Sequence, residues 1–562
     1  MNFKSFGEHF FFHIILGLVL WCLFCTSTAV QFDPSTLFKI SCLVLFGVTL
    51  IRPLLGIGIF LILMPFFGGS KPQDLHTVRC LTLLSTTVFA ASLHLTYGVV
   101  RYGKKLQCNF AHPIVFSLLI YWLIAGLSLS TVMPDAVVLS VLQLQSPLTI
   151  DFLNLNEGAA VYPWLSFFIL TITLIFGFVI INLAGSPQKI FGLMGCYLIG
   201  LMITVILGLL DYYDVINLNG IRPPYFVPTF GKDYQFQHLT SVFGNPGWYA
   251  QYLVLGVPAL LTILVLRWSQ KWKIAVLVGL MILTEFCIIL IYQRGGWLSY
   301  PLTLIIIWFC VYVLNGETKQ FSQHAKAIKG SMLKIAITLP ITIAISLSLV
   351  YLTARMQPEN RQQLSGFAER AKSITDANDR LRYWEPAFQM ARLHPFFGSG
   401  LESFSSQYEK LYIAPGHKYT QTPKYDVAPY YGSAHNLYFQ AVAGKGFLGL
   451  FSLFGVFLAV LTLVWRGIFS SLAPEVALSQ PQRILLMMTL AYICALAIYG
   501  NVGEIFFSPS GYVSFVLFFA ANLAAVPPTY QLSRRFRGWV FSLLACAFLA
   551  HLYWEFGIHF GN

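Results

Sequence analysis

Apolar residues are grouped in long runs along the chain, separated by shorter polar segments. A run of about 18 or more apolar residues is long enough to cross a bilayer as a helix. The pattern therefore predicts an all-α polytopic membrane protein with about 14 to 15 transmembrane helices. Arg52 and Pro53 indicate a hairpin of two short helices over 37–68, with one tilted span as the alternative. The predicted spans are 9–29, 37–51, 53–68, 77–99, 111–131, 161–183, 187–210, 247–266, 273–292, 296–314, 332–353, 434–465, 483–500, 511–528 and 538–557.

Composition supports this class and excludes others. Only 10% of the 562 residues are charged and the mean hydropathy is +0.70, whereas soluble domains carry about 25% charged residues. A secreted enzyme, a cytosolic globule and a disordered chain are therefore excluded. The net charge of +13 is explained by the positive-inside bias of membrane proteins, so no nucleic-acid partner is expected. The ten cysteines lie mostly in apolar runs and indicate neither a disulfide framework nor a zinc site.

The distribution of lysine and arginine predicts which loops face the cytoplasm. Six short loops hold 16 of these residues, whereas the five loops that alternate with them hold 4. Cytoplasmic loops are enriched in Lys and Arg, so the first set is predicted to be cytoplasmic and the second set periplasmic or extracellular. The basic loops are 101–108, 184–189, 267–273, 315–334, 466–483 and 533–537.

We divide the chain into N-terminal transmembrane helices (1–230), a central region (231–465) that contains the polar clusters, and C-terminal transmembrane helices (466–562). The central region includes a long loop, 354–432, which is predicted to be periplasmic and partly helical. It holds ten Lys or Arg and eight Asp or Glu residues in 79 positions. A loop of this length in a compact protein is usually functional.

One helix is predicted inside the long loop. Asp376 is expected to cap it, and Leu381, Trp384 and Phe388 follow at helical spacing on one face. Pro386 is expected to kink or restart the helix. The helix either lies on the membrane surface or packs over the helix bundle.

Three polar clusters stand at predicted outer ends of spans. In the first, Arg294 is followed by Gly295 and Gly296 between two apolar runs. An arginine there must face a polar cavity or the lipid headgroups. The glycines leave backbone N–H groups available to an anion. The alternative is an arginine whose side chain only reaches the interface.

The second and third clusters contain Arg380 with Arg382, and His435 with Asn436. Two arginines near a membrane surface can hold phosphate oxygens bidentately, although pairing with a neighbouring acid on a solvated face is the alternative. A histidine at a membrane boundary can act as a general base, and Asn436 can orient it or bind a sugar hydroxyl. The alternative is a structural histidine. In a fourth cluster, at 243–248, we expect a structural helix start.

These clusters resemble the motifs of the O-antigen ligase/polymerase superfamily. Their order, the many helices and the long outer loop before the HN motif match as well. The likeness covers roughly 240–450, while residues 1–230 match only as a set of helices. Lys445 departs from the pattern, because an acidic residue often stands there. The matching motifs are FGNP at 243–246, QRGGWL at 293–298, R-x-x-x-W at 380–384, HPFFGSG at 394–400 and HNLYFQAVAGKGFLGL at 435–450.

The resemblance implies a metal-independent, inverting glycosyltransferase of the bacterial inner membrane that needs no cofactor. Its donor would be a glycan on undecaprenyl diphosphate, and its active site would face the periplasm. Arg294 and Arg380 would bind the diphosphate, with Arg382 as an alternative ligand, and His435 would activate the acceptor hydroxyl. Asn436 and Trp384 are the candidate contacts for the acceptor and its sugars.

The favoured function is a ligase that joins O-antigen to a lipid A-core acceptor. An O-antigen or exopolysaccharide polymerase with the same donor chemistry is the nearest alternative. A protein O-oligosaccharyltransferase is the third, and that branch often carries a soluble segment for which 558–562 leave no room. A lipid-linked glycan flippase would be expected to place ionisable residues inside its spans, whereas here they concentrate in outer loops. Membrane lipids are expected partners in every case.

Overall fold

The computed structural model describes residues 36–67, 75–103, 106, 110–132, 161–218, 239–243, 245–266, 271–316, 341, 343–352, 378–408, 433–469, 478–503, 506, 509–525 and 531–560. In this part of the chain the regular structure is helical and includes no strand, which confirms the all-α fold class. Seven helices are long and apolar enough to cross a membrane, and five shorter apolar helices accompany them among the described residues. The predicted span 9–29 lies outside the described residues.

The helices that the structure describes follow one another in chain order. A 3₁₀ helix, Ser128–Val132, extends the fourth of them, and an apolar helical segment, Ile343–Leu352, precedes the tenth. The α-helices are α1 (Thr36–Ile51), α2 (Pro53–Phe67), α3 (Leu75–Tyr102), α4 (Pro113–Leu127), α5 (Val161–Ala184), α6 (Pro187–Tyr212), α7 (Pro246–Leu266), α8 (Lys271–Leu290), α9 (Arg294–Gly316), α10 (Asn378–Leu393), α11 (Phe404–Tyr408), α12 (Leu437–Phe469), α13 (Gln480–Tyr499), α14 (Pro509–Ala525) and α15 (Arg534–Phe560).

The first two helices form the predicted hairpin. The rings of Phe38, near the start of α1, and Phe67, at the end of α2, lie 5.9 Å apart in an edge-to-face contact. Thr49 packs directly against Gly56 across the turn, and any side chain at Gly56 would overlap it. A single span would separate Phe38 and Phe67 by the whole length of both helices, so the structure excludes that alternative.

The centre of the protein is formed by α5, α6, α7, α13 and α14, whose facing side chains are almost all apolar or aromatic. Tyr492 of α13 and Phe518 of α14 are fully buried, and their rings stack at 3.9 Å. In contrast, α15 contacts α4 through Phe541 and Phe116, while Trp539 and Leu543 are exposed. Exposed apolar side chains on a long helix are expected where it faces lipid.

Helix α10 packs over the bundle, against α12. Ala387 and Met390 are fully buried, and Trp384 stacks on Phe439 of α12 with the ring centres 5.0 Å apart. Phe388, which the helical spacing grouped with Trp384, is 39% exposed, and its ring is covered by the guanidinium of Arg392. The buried face is therefore rotated from the predicted one. Pro386 lies inside α10 and does not end it.

Candidate functional site

The turn that carries Arg294 is a tight reversal between α8 and α9. Tyr292 lies in this turn with φ +57°, a left-handed backbone conformation that residues other than glycine rarely adopt. Burial raises the pKa of the Tyr292 phenol to about 12. Trp297 donates its indole N–H to the Ile288 carbonyl at 3.0 Å, which ties the two helices together.

Arg294 is the first residue of α9 and is half-buried. The first backbone N–H groups of a helix have no partner within it, and the N-terminal end carries partial positive charge. Arg294 therefore adds a positively charged residue to the end of α9 that already carries partial positive charge. Anions such as phosphate are stabilised at such a helix end.

A turn that sequence reasoning missed, 500–503, joins the arginine turn to the histidine segment. Leu437 donates its backbone N–H to the Gly500 carbonyl at 2.7 Å. The side chain of Asn436 donates to the Asn501 carbonyl at 3.2 Å. On its other side, Val502 packs against Gly295, where a Cβ would overlap it. The only signal in the sequence was two glycines, Gly500 and Gly503, in a turn without a charged residue.

Asn436 caps α12. Its side-chain oxygen accepts hydrogen bonds from the backbone N–H groups of Tyr438 at 2.9 Å and Phe439 at 3.1 Å. Together with the bond to Asn501, the whole amide has protein partners, and the residue is buried. The geometry thus gives Asn436 a helix-capping role, and its contact with a sugar stays a prediction.

His435 lies next to this cap and is exposed. Its φ of +47° is left-handed, which costs a residue with a Cβ about 1 to 2 kcal/mol. The imidazole meets the ring of Tyr383 edge-to-face at 4.9 Å. A solvent-facing histidine on a strained backbone is typical of a functional position, because only a supporting structure keeps such strain.

The second arginine cluster lies on α10. The backbones of Arg380 and Arg382 belong to the first turns of this helix, one turn or less from Tyr383. Their side chains lie outside the described part of the structure. The contact between Tyr383 and His435 places this end of α10 beside the histidine.

The predicted fourth cluster is a helix start, as expected. The Asn245 side-chain oxygen accepts the Gly247 backbone N–H at 2.7 Å, and α7 begins at Pro246. Tyr499, which precedes the 500–503 turn, donates its hydroxyl to the Gly247 carbonyl at 2.7 Å. The FGNP segment therefore supports the same end of the bundle.

The HPFFGSG segment enters the bundle and pairs with an interruption in α12. Ser399 and Gly400 donate backbone N–H groups to the carbonyls of Ala443 at 2.8 Å and Gly444 at 3.1 Å. In return, the Phe447 N–H bonds to the Pro395 carbonyl at 2.9 Å. Gly446 breaks the helix with φ +65° and ψ −171°. Irregular backbone at membrane depth is tolerated only where protein buries it, and this pairing meets that requirement.

Two glycines make this pairing possible, which gives a first prediction. A Cβ at Gly398 would overlap the backbone nitrogens of Lys445 and Gly446, and a Cβ at Gly446 would overlap the Phe396 carbonyl. Both residues also have positive φ. Gly398→Ala and Gly446→Ala should each reduce stability by about 2 kcal/mol or more. The measurement is thermal unfolding of the purified protein in detergent.

The matched control is Gly455→Ala in the same helix, where an added Cβ meets nothing within 4 Å. Alanine favours a helix over glycine, so this variant should be as stable as the wild type or slightly more stable. Equal stability of all three variants would contradict the close backbone pairing.

Part of the chain is similar to a known family. Residues 279–454 match the model of the O-antigen ligase family. The matched region begins in α8 and ends in α12, so it includes Arg294, α10 and His435. Comparison with curated proteins gives no match.

Proposed function

We propose, from the match of residues 279–454 to the O-antigen ligase family, that the protein is a glycosyltransferase that moves a glycan from undecaprenyl diphosphate to an acceptor hydroxyl. The observation that carries the proposal is the shared support of two turns. One presents Arg294 at a helix N-terminus and the other presents His435 to solvent, and both pack on the 500–503 turn. The proposed diphosphate ligand and the proposed base therefore lie at the same end of the bundle.

The proposed reaction is a single displacement. The acceptor oxygen attacks the anomeric carbon while the bond from that carbon to the diphosphate oxygen breaks, which inverts the configuration. The acceptor proton passes to the imidazole of His435, and undecaprenyl diphosphate leaves with increased negative charge. Fixed positive groups stabilise charge that develops in a transition state. Arg294, with Arg380 or Arg382 from α10, supplies them in this proposal without a metal or a cofactor.

The acceptor is proposed to approach over the start of α10. Trp384 is half-buried and stacked on Phe439, which fixes its ring at the edge of the site. Aromatic faces of this kind pack against sugar rings, so Trp384 is the proposed acceptor contact. We propose lipid A-core in the inner membrane as the acceptor, which makes the proposed reaction the ligation of O-antigen.

The experiment that tests the function uses purified protein in nanodiscs with an undecaprenyl-diphosphate glycan. Three acceptors are supplied separately: lipid A-core, a second donor molecule and a pilin-type protein. Glycan coupled to lipid A-core is the expected product. Longer carrier-linked chains would instead identify a polymerase, and glycosylated protein would identify an oligosaccharyltransferase. No transfer to any of the three would overturn the proposal.

The periplasmic position of the site gives a second prediction. In a variant lacking the ten native cysteines, cysteine is introduced at Val215 or at Tyr102, which are 66% and 73% exposed. The charge distribution predicts that Val215 lies outside and Tyr102 inside. A membrane-impermeant maleimide added to whole cells should label Val215→Cys and should label Tyr102→Cys only after lysis. The reverse pattern would place the site on the cytoplasmic side.

A further inference from the structure

A buried side-chain amide lies directly beneath the histidine segment. Gln440, on the first turns of α12, is 4% exposed. Its side-chain oxygen accepts the backbone N–H of Ala434 at 2.9 Å. Ala434 immediately precedes His435 and is fully buried. The amide therefore holds the backbone at the point where the chain turns into the left-handed conformation of His435.

The other end of the same amide is also fixed. The Gln440 side-chain nitrogen donates to a carboxylate oxygen of Glu402 at 2.7 Å, and Glu402 is 6% exposed. Because an N–H of Ala434 can only donate, the amide oxygen must face Ala434 and the nitrogen must face Glu402. The donor and acceptor of the amide are thus assigned by their partners.

Glu402 is presented by the segment that enters the bundle. Its φ is +55°, and the adjacent Leu401 donates its backbone N–H to the Ser128 hydroxyl at 3.2 Å. Ser403 donates its hydroxyl to the carbonyls of Ser399 and Gly400, each at 2.7 Å. These bonds and the backbone pairing with α12 give the carboxylate a fixed position.

We infer that Glu402 and Gln440 are positioning residues for His435, an inference that rests on the proposed function of that histidine. The carboxylate orients the amide, the amide binds the Ala434 N–H, and the strained backbone then directs the imidazole towards the acceptor. Removing one member of a buried series of hydrogen bonds is destabilising, because the polar groups left without a partner keep their desolvation penalty. In this proposal the HPFFGSG segment holds Glu402 next to Gln440, and Glu402 acts on His435 only through that amide.

Two variants separate this role from simple packing. Gln440→Met keeps the length of the side chain and removes its hydrogen bonds to both partners. The double variant Glu402→Gln with Gln440→Glu keeps both hydrogen bonds. The new carboxylate at 440 accepts the Ala434 N–H, and it also accepts an N–H from the new amide at 402, so the donor and acceptor of that second bond are exchanged. The net charge is unchanged. Packing alone predicts that Gln440→Met resembles the wild type.

The first measurement does not depend on activity. Hydrogen exchange of the Ala434 amide, followed by mass spectrometry on the full protein in nanodiscs, should be slow in the wild type and in the exchanged pair. It should be about tenfold or more faster in Gln440→Met. Unchanged protection in Gln440→Met, or fast exchange in the exchanged pair, would overturn the inference whatever the protein catalyses.

The second measurement is transfer from the undecaprenyl-diphosphate donor to lipid A-core. In Gln440→Met, kcat should fall about tenfold or more while KM for the donor changes less than about threefold. The exchanged pair should recover most of kcat. Equal kcat for Gln440→Met and the wild type would overturn the positioning role. If the wild type transfers no glycan, the proposed function fails, and the hydrogen-exchange series alone decides whether the chain fixes His435.

Discussion

Arg294→Ala should lower the rate of glycan transfer about 100-fold or more, at normal abundance in the membrane, if the guanidinium stabilises the departing diphosphate. Arg294 is the first residue of α9, and no other part of the turn provides a comparable charge: Gly295 and Gly296 follow it. Loss of transition-state stabilisation should appear mainly in kcat. Steady-state kinetics with varied donor concentration measure it.

Two further variants sharpen this test. Arg294→Lys keeps the positive charge but loses the planar pair of donors, so it should retain only part of the rate. Arg392→Ala is the matched control, because Arg392 is an exposed arginine at the far end of α10 whose guanidinium covers Phe388. It should transfer glycan at the wild-type rate. A wild-type rate for Arg294→Ala as well would remove the arginine from the mechanism.

His435→Asn should abolish transfer while leaving donor binding largely intact. Asparagine tolerates the left-handed backbone that His435 adopts, with φ +47°, so the variant removes the base and not the turn. The arginines that would hold the diphosphate are unchanged. Transfer and donor binding are measured on the same preparation, and full transfer by the variant would contradict the assignment of the base.

The pH dependence follows from the same role. A base must be neutral to accept a proton, so transfer should fall as the pH drops through the range where histidines titrate, about 6 to 7. Tyr383→Phe keeps the ring that contacts His435 at 4.9 Å and should retain this profile. The rate is measured from about pH 5.5 to about pH 8, a range that brackets the ordinary pKa of histidine. A transfer rate that stays constant over this range would argue against a histidine base.

Much of the fold was predictable because apolar runs determine where a chain can cross a bilayer. The predicted spans 161–183 and 187–210 became Val161–Ala184 and Pro187–Tyr212, and the hairpin at Arg52 was confirmed. In these elements the length and composition of one local segment decide the structure. Local information is therefore sufficient.

The interruption of α12 was not predictable from the same pattern. The run 434–465 is predicted as one continuous span, yet Gly446 breaks the helix. The cause lies in the HPFFGSG segment, more than 40 residues earlier, whose backbone takes the freed hydrogen bonds. Hydropathy carries no information about such a partner. In α10 the distant partner is α12: Trp384 stacks on Phe439, whereas Phe388 is covered by Arg392 of its own helix.

The sequence was sufficient to predict which residues belong to the candidate site, but not how they are arranged in space. Arg294 and His435 were marked by their chemistry at the ends of apolar runs. The 500–503 turn that connects them, and the Glu402–Gln440 pair beneath His435, have no composition that distinguishes them. Their importance comes from contacts between segments 38 to 207 positions apart, which only the folded chain shows.

The central claim is that donor cleavage and glycan transfer are one reaction at this site. The most direct measurement follows both products together, as undecaprenyl diphosphate released and as glycan coupled to lipid A-core, with the anomeric configuration of the new bond determined. We expect equal amounts of the two products, an inverted configuration in the wild type, and neither product from His435→Asn. A retained configuration, or coupled glycan without equal release of undecaprenyl diphosphate, would contradict it.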